Sequence, residues 1–206
     1  MRHSSILNKG FSLVELLVVL SIFLIITSVV LFNQNKFSSD ISITNVAYSI
    51  ALEIRQAQVS GILVGQGRDD FDKAFGVHFM IDENNQIVFQ NFKDYNDKLN
   101  YDLGEGGASQ QLSEGNIILS VCTYTSATEQ TGKKCLAPTT SSTSGVLTAV
   151  DIMYKRPEPS AIIIDTLSAN ANDRRKRVEV IVQSSLGDRT RTIKAYNTGQ
   201  ISVYNQ

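Results

Sequence analysis

The sequence predicts an α+β protein: a long N-terminal helix packed on an antiparallel β-sheet or a two-sheet β-sandwich. Three observations predict it. Residues 11–32 are almost wholly apolar, apolar residues recur at helical spacing over 43–57, and beyond Gly67 eight short strand-like runs follow with no helical run between them. At 206 residues and 42% hydrophobic, the chain has material for one sizeable domain and an appendage, and a formal net charge of −1 gives no global reason for a nucleic-acid or anionic-membrane partner.

From Phe11 to Phe32 the single charge is Glu15, with Ser12, Ser21, Thr27 and Ser28 as the other polar side chains. A helix of that length measures about 33 Å, enough to cross a hydrocarbon core of about 30 Å. Arg2, His3 and Lys9 precede the run and Asn33-Gln34-Asn35-Lys36 follows it. The positive-inside rule then leaves the short N-terminus in the cytoplasm and the large domain outside, in a single-pass protein of the cytoplasmic (inner) membrane. A secretory signal peptide fits less well, because the run is long for an h-region and no Ala-x-Ala-like site follows it.

A carboxylate this deep in an apolar run is costly and marks function. "KGFSLVELLVVLSIFLII", residues 9–26, resembles the type IV prepilin signature shared by pilins and by the pseudopilins of type II secretion and DNA uptake: a short basic leader ending in Gly, then Phe, then Glu. The resemblance implies that a prepilin peptidase cuts between Gly10 and Phe11, that the new Phe11 amine is methylated, and that Glu15 meets the terminal amine of a neighbouring subunit during filament entry. Many major pilins carry a helix-kinking proline where this chain has Phe32, and its prolines are Pro138, Pro157 and Pro159, which leans towards a minor pilin or pseudopilin.

Helical periodicity resumes at Ile43, Val46, Ala47, Ile50, Ile54 and Ala57, so an amphipathic helix is expected over 33–66, with Gly61, Gly65 and Gly67 as its stop. "VAYSIALEIRQAQVSGILV" resembles the same helix of H-type minor pseudopilins and related minor pilins. The expected parts are therefore a leader (1–10), an assembly helix (11–32), the amphipathic helix (33–66) and a β-rich extracytoplasmic domain (67–206). "FGVHFMI" and "QIVFQNF" flank Asp82–Asn85 and read as a hairpin. "NIILSVCT", "VLTAVDIMY", "AIIIDTL", "RVEVIVQSS", "RTRTIKAY" and "QISVYN" supply six more strands, the last two joined by a turn at Asn197-Thr198-Gly199, and "LAPTTSSTSG" is a polar loop.

Cys122 and Cys135 are the two cysteines, and outside the cytoplasm an even count favours a disulfide, here closing a loop worth about 3 kcal/mol. Arg174, Arg175, Lys176 and Arg177 form a basic run whose default reading is a solvated hairpin tip and whose sharper reading is an acidic partner or DNA phosphates. Arg189 and Arg191 add to it, in a segment loosely similar to the Gly-Arg-x-Arg of some DNA-uptake minor pilins, with Asp188 intruding. Asp69, Asp70 and Asp72 lack calcium-loop spacing and read as a solvated turn, and His78, set in an alternating strand, reads as a packed or exposed strand residue. No Ser/His/Asp set, GxSxG or phosphate-binding glycine loop is present, so neither catalysis, a cofactor nor a metal is expected. The reading is a structural subunit that initiates or caps a type IV pilus or secretion pseudopilus; the alternative is a DNA-binding minor pilin.

Overall fold

A computed structural model describes residues 11–63, 73–110, 112, 115–136, 147–166 and 174–205, with the side chains of 32–36 excepted. The chain divides into two compact units, Met1–Ser38 and Ser39–Gln206. The described residues form one helix, α1 (Leu13–Ile62), and nine strands: β1 (Phe75–Ile81), β2 (Ile87–Lys93), β3 (Ile117–Tyr124), β4 (Lys134–Leu136), β5 (Ala149–Tyr154), β6 (Ala161–Asp165), β7 (Arg177–Gln183), β8 (Thr190–Tyr196) and β9 (Ile201–Asn205). Every ladder is antiparallel, in the order β6-β5-β1-β2-β3-β7-β8-β9, with β4 attached to β3. The expected α+β class holds, and the choice between one sheet and two resolves into one hydrogen-bonded sheet with a weak middle.

That middle is the β2/β3 seam, where a single register pair, Ile87 with Ile118, joins the halves. Beyond it each strand takes a substitute partner. Gln110 and Phe89 exchange backbone hydrogen bonds, Gly107 N–H donates to Asn91 O, and Lys93 N–H donates to Glu105 O, so residues 105–110 occupy the edge that β2 turns from β3. On β3, Val121, Cys122 and Thr123 pair with Leu136, Cys135 and Lys134 of β4. Buried backbone groups need partners, and these two substitutions supply them on either side of the seam.

In the second unit, α1 lays its apolar stripe on this sheet. Ile43, Val46, Ala47, Ile50, Ile54 and Ala57, the six residues singled out by spacing, are all buried, in one core with Val77, Phe79, Ile152, Val180 and Ile193. Polar groups flank the stripe. Asn116 Nδ2 donates to Ser42 Oγ at 2.8 Å, Asn91 Nδ2 donates to Glu53, and Gln58 Nε2 donates to the carbonyls of Pro159 and Gly199. The expected glycine stop is corrected in part: Gly61 lies inside α1, against the backbone of Tyr154, while Gly65 and Gly67 lie outside the described residues.

The hairpins follow from their turn chemistry. Asp82 Oδ1 accepts from the N–H groups of Asn84 and Gln86, and Asn85 takes the left-handed conformation (φ 59°) that asparagine tolerates. Gly199 (φ 86°) closes the β8–β9 turn, where a Cβ would meet the Pro159 carbonyl.

Candidate functional site

The first unit carries the candidate assembly segment. Leu13–Leu31 is apolar enough and long enough to cross a membrane, with mean hydropathy 2.8, and none of its residues is buried. A hydroxyl in such a helix hides its polarity by bonding backward, and two do: Ser21 Oγ donates to Val18 O and Thr27 Oγ1 donates to Phe23 O. A carboxylate accepts and has no such backward route, and no side chain of opposite charge stands in the span to balance Glu15.

Glu15 also occupies the first turn of α1. Leu16 N–H donates to Ser12 O at 3.2 Å, which makes Ser12 the residue that opens the helix, and Ser12-x-x-Glu15 is the residue order of a capping box. A carboxylate there also faces the positive end of the helix dipole. The sequence reading passed over this Ser-x-x-Glu pattern. Phe11 is exposed and lies just ahead of the first turn, one helical turn from Glu15 in sequence; Gly10 lies outside the described residues.

Cys122 and Cys135 face each other across β3 and β4 and are joined as a disulfide. Its place explains its use: β4 is three residues long, and the bridge fixes it along the β3 edge that β2 abandons.

The basic residues are not a single surface. Arg175 is 2% exposed; its Nε donates to Asp165 Oδ2 at 2.7 Å, and Thr123 Oγ1 donates to the same oxygen. Arg177 stacks over the Tyr124 ring at 4.2 Å, lies 3.3 Å from Glu179 and donates to the carbonyls of Ala127 and Glu129. Arg191 is buried as well, its Nη2 donating to Asp40 Oδ1 at 2.6 Å. Arg174, Lys176 and Arg189 are exposed. Arg177 pairs in register with Tyr196, and Gln183 with Thr190. The two basic groups therefore stand at opposite ends of the β7–β8 hairpin, about 20 Å apart. The expected solvated tip and the expected combined patch are both corrected to this extent. The cause is that the run enters the core at Arg175 and Arg177, where buried Asp165 and Glu179 demand counter-charges.

Glu179 shows the result. Burial opposes its charge, but hydrogen bonds from Lys194 and Tyr124 prevail and hold its carboxyl below the ordinary glutamate value; the same burial and the same bond push the Tyr124 hydroxyl up to about 12. Of the two readings of His78 the packed one holds: it lies 2.6 Å from Asp151 Oδ1 and is stacked on Tyr101 at 4.1 Å. Among the described residues no group of His, Cys, Asp or Glu could hold a metal ion, and Asp69, Asp70 and Asp72 lie outside them.

Residues 7–31 match the family model of the prokaryotic N-terminal methylation motif. No curated protein and no solved structure matches the chain. The motif supports a pilin- or pseudopilin-type subunit with a membrane-anchoring N-terminal helix.

Proposed function

We propose that this chain is a minor pilin or pseudopilin, a structural subunit that a prepilin peptidase trims between Gly10 and Phe11 and that then initiates or caps a type IV pilus or a type II secretion pseudopilus. The observation that carries the proposal is the methylation motif laid on a helix whose one charge, Glu15, has no side chain of opposite charge within its own span. Cleavage at Gly10 frees an amine at Phe11, and an amine and a carboxylate brought together from neighbouring helices neutralise each other where neither tolerates isolation. The uninterrupted helical run through Phe32 favours a minor position over that of a major pilus subunit. In the head, α1 leaves Ile41, Tyr48, Leu52 and Val59 exposed on the side away from the sheet, apolar surface on which helices of other subunits can pack.

The subunit sits in the cytoplasmic membrane as a single-pass precursor with its C-terminal domain outside, and its partners are the peptidase and other pilin-type chains. The alternative, a DNA-binding head, would rest on Arg174, Lys176 and Arg189, since Arg175, Arg177 and Arg191 are buried and already paired with Asp165, Glu179 and Asp40.

Intact-mass measurement on the protein from its native membrane tests the processing step. The expected species begins at a methylated Phe11. A chain that still begins at Met1, or one cut beyond residue 25, overturns the proposal.

A further inference from the structure

The weak middle divides the sheet into two half-sheets. In the first, β6, β5, β1 and β2 are joined by ladders of five to seven register pairs; in the second, β3, β7, β8 and β9 are joined in the same way. Between them, Ile87 with Ile118 is the single ladder pair of β2 and β3 among the described residues. A cavity of about 320 Å³ opens beside that pair, lined in part by Val88, Leu112, Asn116 and Ile117. The seam is thinly bonded and incompletely filled.

The half-sheets meet a second time, and this joint is polar. Asp165 of β6 has a fully buried side chain, and it accepts from Thr123 Oγ1 of β3 at 2.8 Å and from Arg175 Nε, just ahead of β7, at 2.7 Å. Backbone bonds add to it: Arg175 N–H donates to Ile163 O, and Ala161 N–H donates to Asn197 O. Gln58 of α1 spans the same joint, donating to Pro159 O ahead of β6 and to Gly199 O between β8 and β9. A buried carboxylate parted from its donors is heavily penalised, so this joint holds. The Ile87–Ile118 seam has apolar side chains whose attraction is non-directional and survives a small displacement.

The ties of α1 fall on both half-sheets. Asp40 is bound to Arg191 and Ser42 to Asn116, both in the second half-sheet or at its border, while Glu53 is bound to Asn91 in the first. We propose that the head is a two-body hinge, in which the half-sheets move as units about the Asp165 joint and the motion widens and narrows the cleft at the Ile87–Ile118 seam. The hinge is a property of the head and stands apart from the filament reading.

Full-length chain in detergent provides the test, by pulsed distance measurement between spin labels on non-canonical residues. Labels in place of Glu83 and Leu186, exposed turn residues of the first and second half-sheets, report across the seam. Labels in place of Leu186 and Thr198 lie within the second half-sheet and give the control. The cross-seam distance distribution is expected to be at least about twice as broad as the control. Ile87→Cys with Ile118→Cys sets two thiols on an antiparallel pair, whose Cα spacing of about 4.5–5.5 Å suits a disulfide, and oxidation should narrow the distribution to the control width. Asp165→Asn keeps the shape and removes the charge, and should broaden the distribution by about a further twofold. Thr123→Val withdraws one donor and should broaden it less, which keeps the joint testable if Asp165→Asn does not fold. A cross-seam width equal to the control overturns the hinge. So do paired thiols that stay reduced, a width unchanged by their oxidation, or a width that the variants at the Asp165 joint leave unaltered.

Discussion

Gly61 lies so close to Tyr154 that a Cβ built on it would sit 2.4 Å from the Tyr154 carbonyl oxygen. Tyr154 belongs to β5, which is flanked on both sides, and its backbone has no freedom to retreat without dragging β1 and β6 with it. The glycine is therefore a packing residue that lets the end of α1 approach the sheet.

Gly61→Ala tests this with opposing terms. Alanine favours a helix by about 1 kcal/mol, while an overpacked contact costs about 1–3 kcal/mol. Against rigid backbone the second term wins, so chemical denaturation should show net destabilisation. A gain in stability would mean that the helix end shifts freely and that the contact is incidental.

Arg175 and Arg174 are adjacent in sequence and opposite in consequence. Arg175→Ala strands Asp165, whose side chain is fully buried, and should cost about 3–5 kcal/mol. Arg174→Ala removes an exposed charge and should change stability by less than about 0.5 kcal/mol. Equal, small effects in denaturant titrations would return Arg175 to the surface and restore the combined basic patch as a candidate DNA contact.

The helix stripe and the strand segments were legible because periodicity is local: six apolar positions at helical spacing all became core, and all eight strand segments formed. β4 was not legible, since Lys134–Leu136 is too short to show alternation and is specified by its pairing with β3 and by the disulfide. The inward turn of Arg175, Arg177 and Arg191 was hidden for a related reason. Two of their counter-charges, Asp165 and Asp40, come from other elements, and only Arg177–Glu179, two apart on one strand face, left a local trace. In the candidate site, Glu15 stood out as the lone charge of its run, while its match to a capping box lay in the Ser12 spacing.

The Tyr124–Glu179–Lys194 cluster predicts a pH dependence at both ends. Glu179 is depressed below its ordinary 4.5, so its contribution is complete above that pH and is lost as pH falls through the lower folded value. Tyr124 is raised from 10.0 to about 12, so its contribution is complete below pH 10 and is lost as pH climbs through 12. Unfolding midpoints of wild type and Glu179→Gln should converge at acid pH and separate near neutrality. A constant gap across the acid range would show that the carboxylate's charge is immaterial.

Breaking the Cys122–Cys135 bridge should act on one strand. The closed loop of 13 residues implies a loss of about 3 kcal/mol for the paired Cys→Ser variant. Because β3 keeps β7 on its other side, hydrogen exchange should rise at Lys134–Leu136 and along 121–123 while the β7–β8 ladder stays protected. Uniform exchange across all strands would mean that the bridge supports the whole sheet.

On the proposed filament-subunit reading Glu15 carries the assembly step, and two substitutions separate its proposed roles. Glu15→Gln keeps the size of the side chain and the Ser12-x-x-Gln order of a capping box, so the helix start survives and only the charge is lost. Glu15→Ala loses both, yet leaves a more apolar span, so membrane insertion and cleavage after Gly10 should persist in each. Filament entry should fail in both, because a neighbour's Phe11 amine would be buried without a counter-charge at a cost of about 3–5 kcal/mol, a hundredfold or more in the incorporation equilibrium. Quantifying processed protein in the membrane and in the assembled fraction distinguishes the outcomes. If Glu15→Gln enters the filament at wild-type levels while Glu15→Ala does not, capping accounts for the residue and the charge-pairing role is wrong.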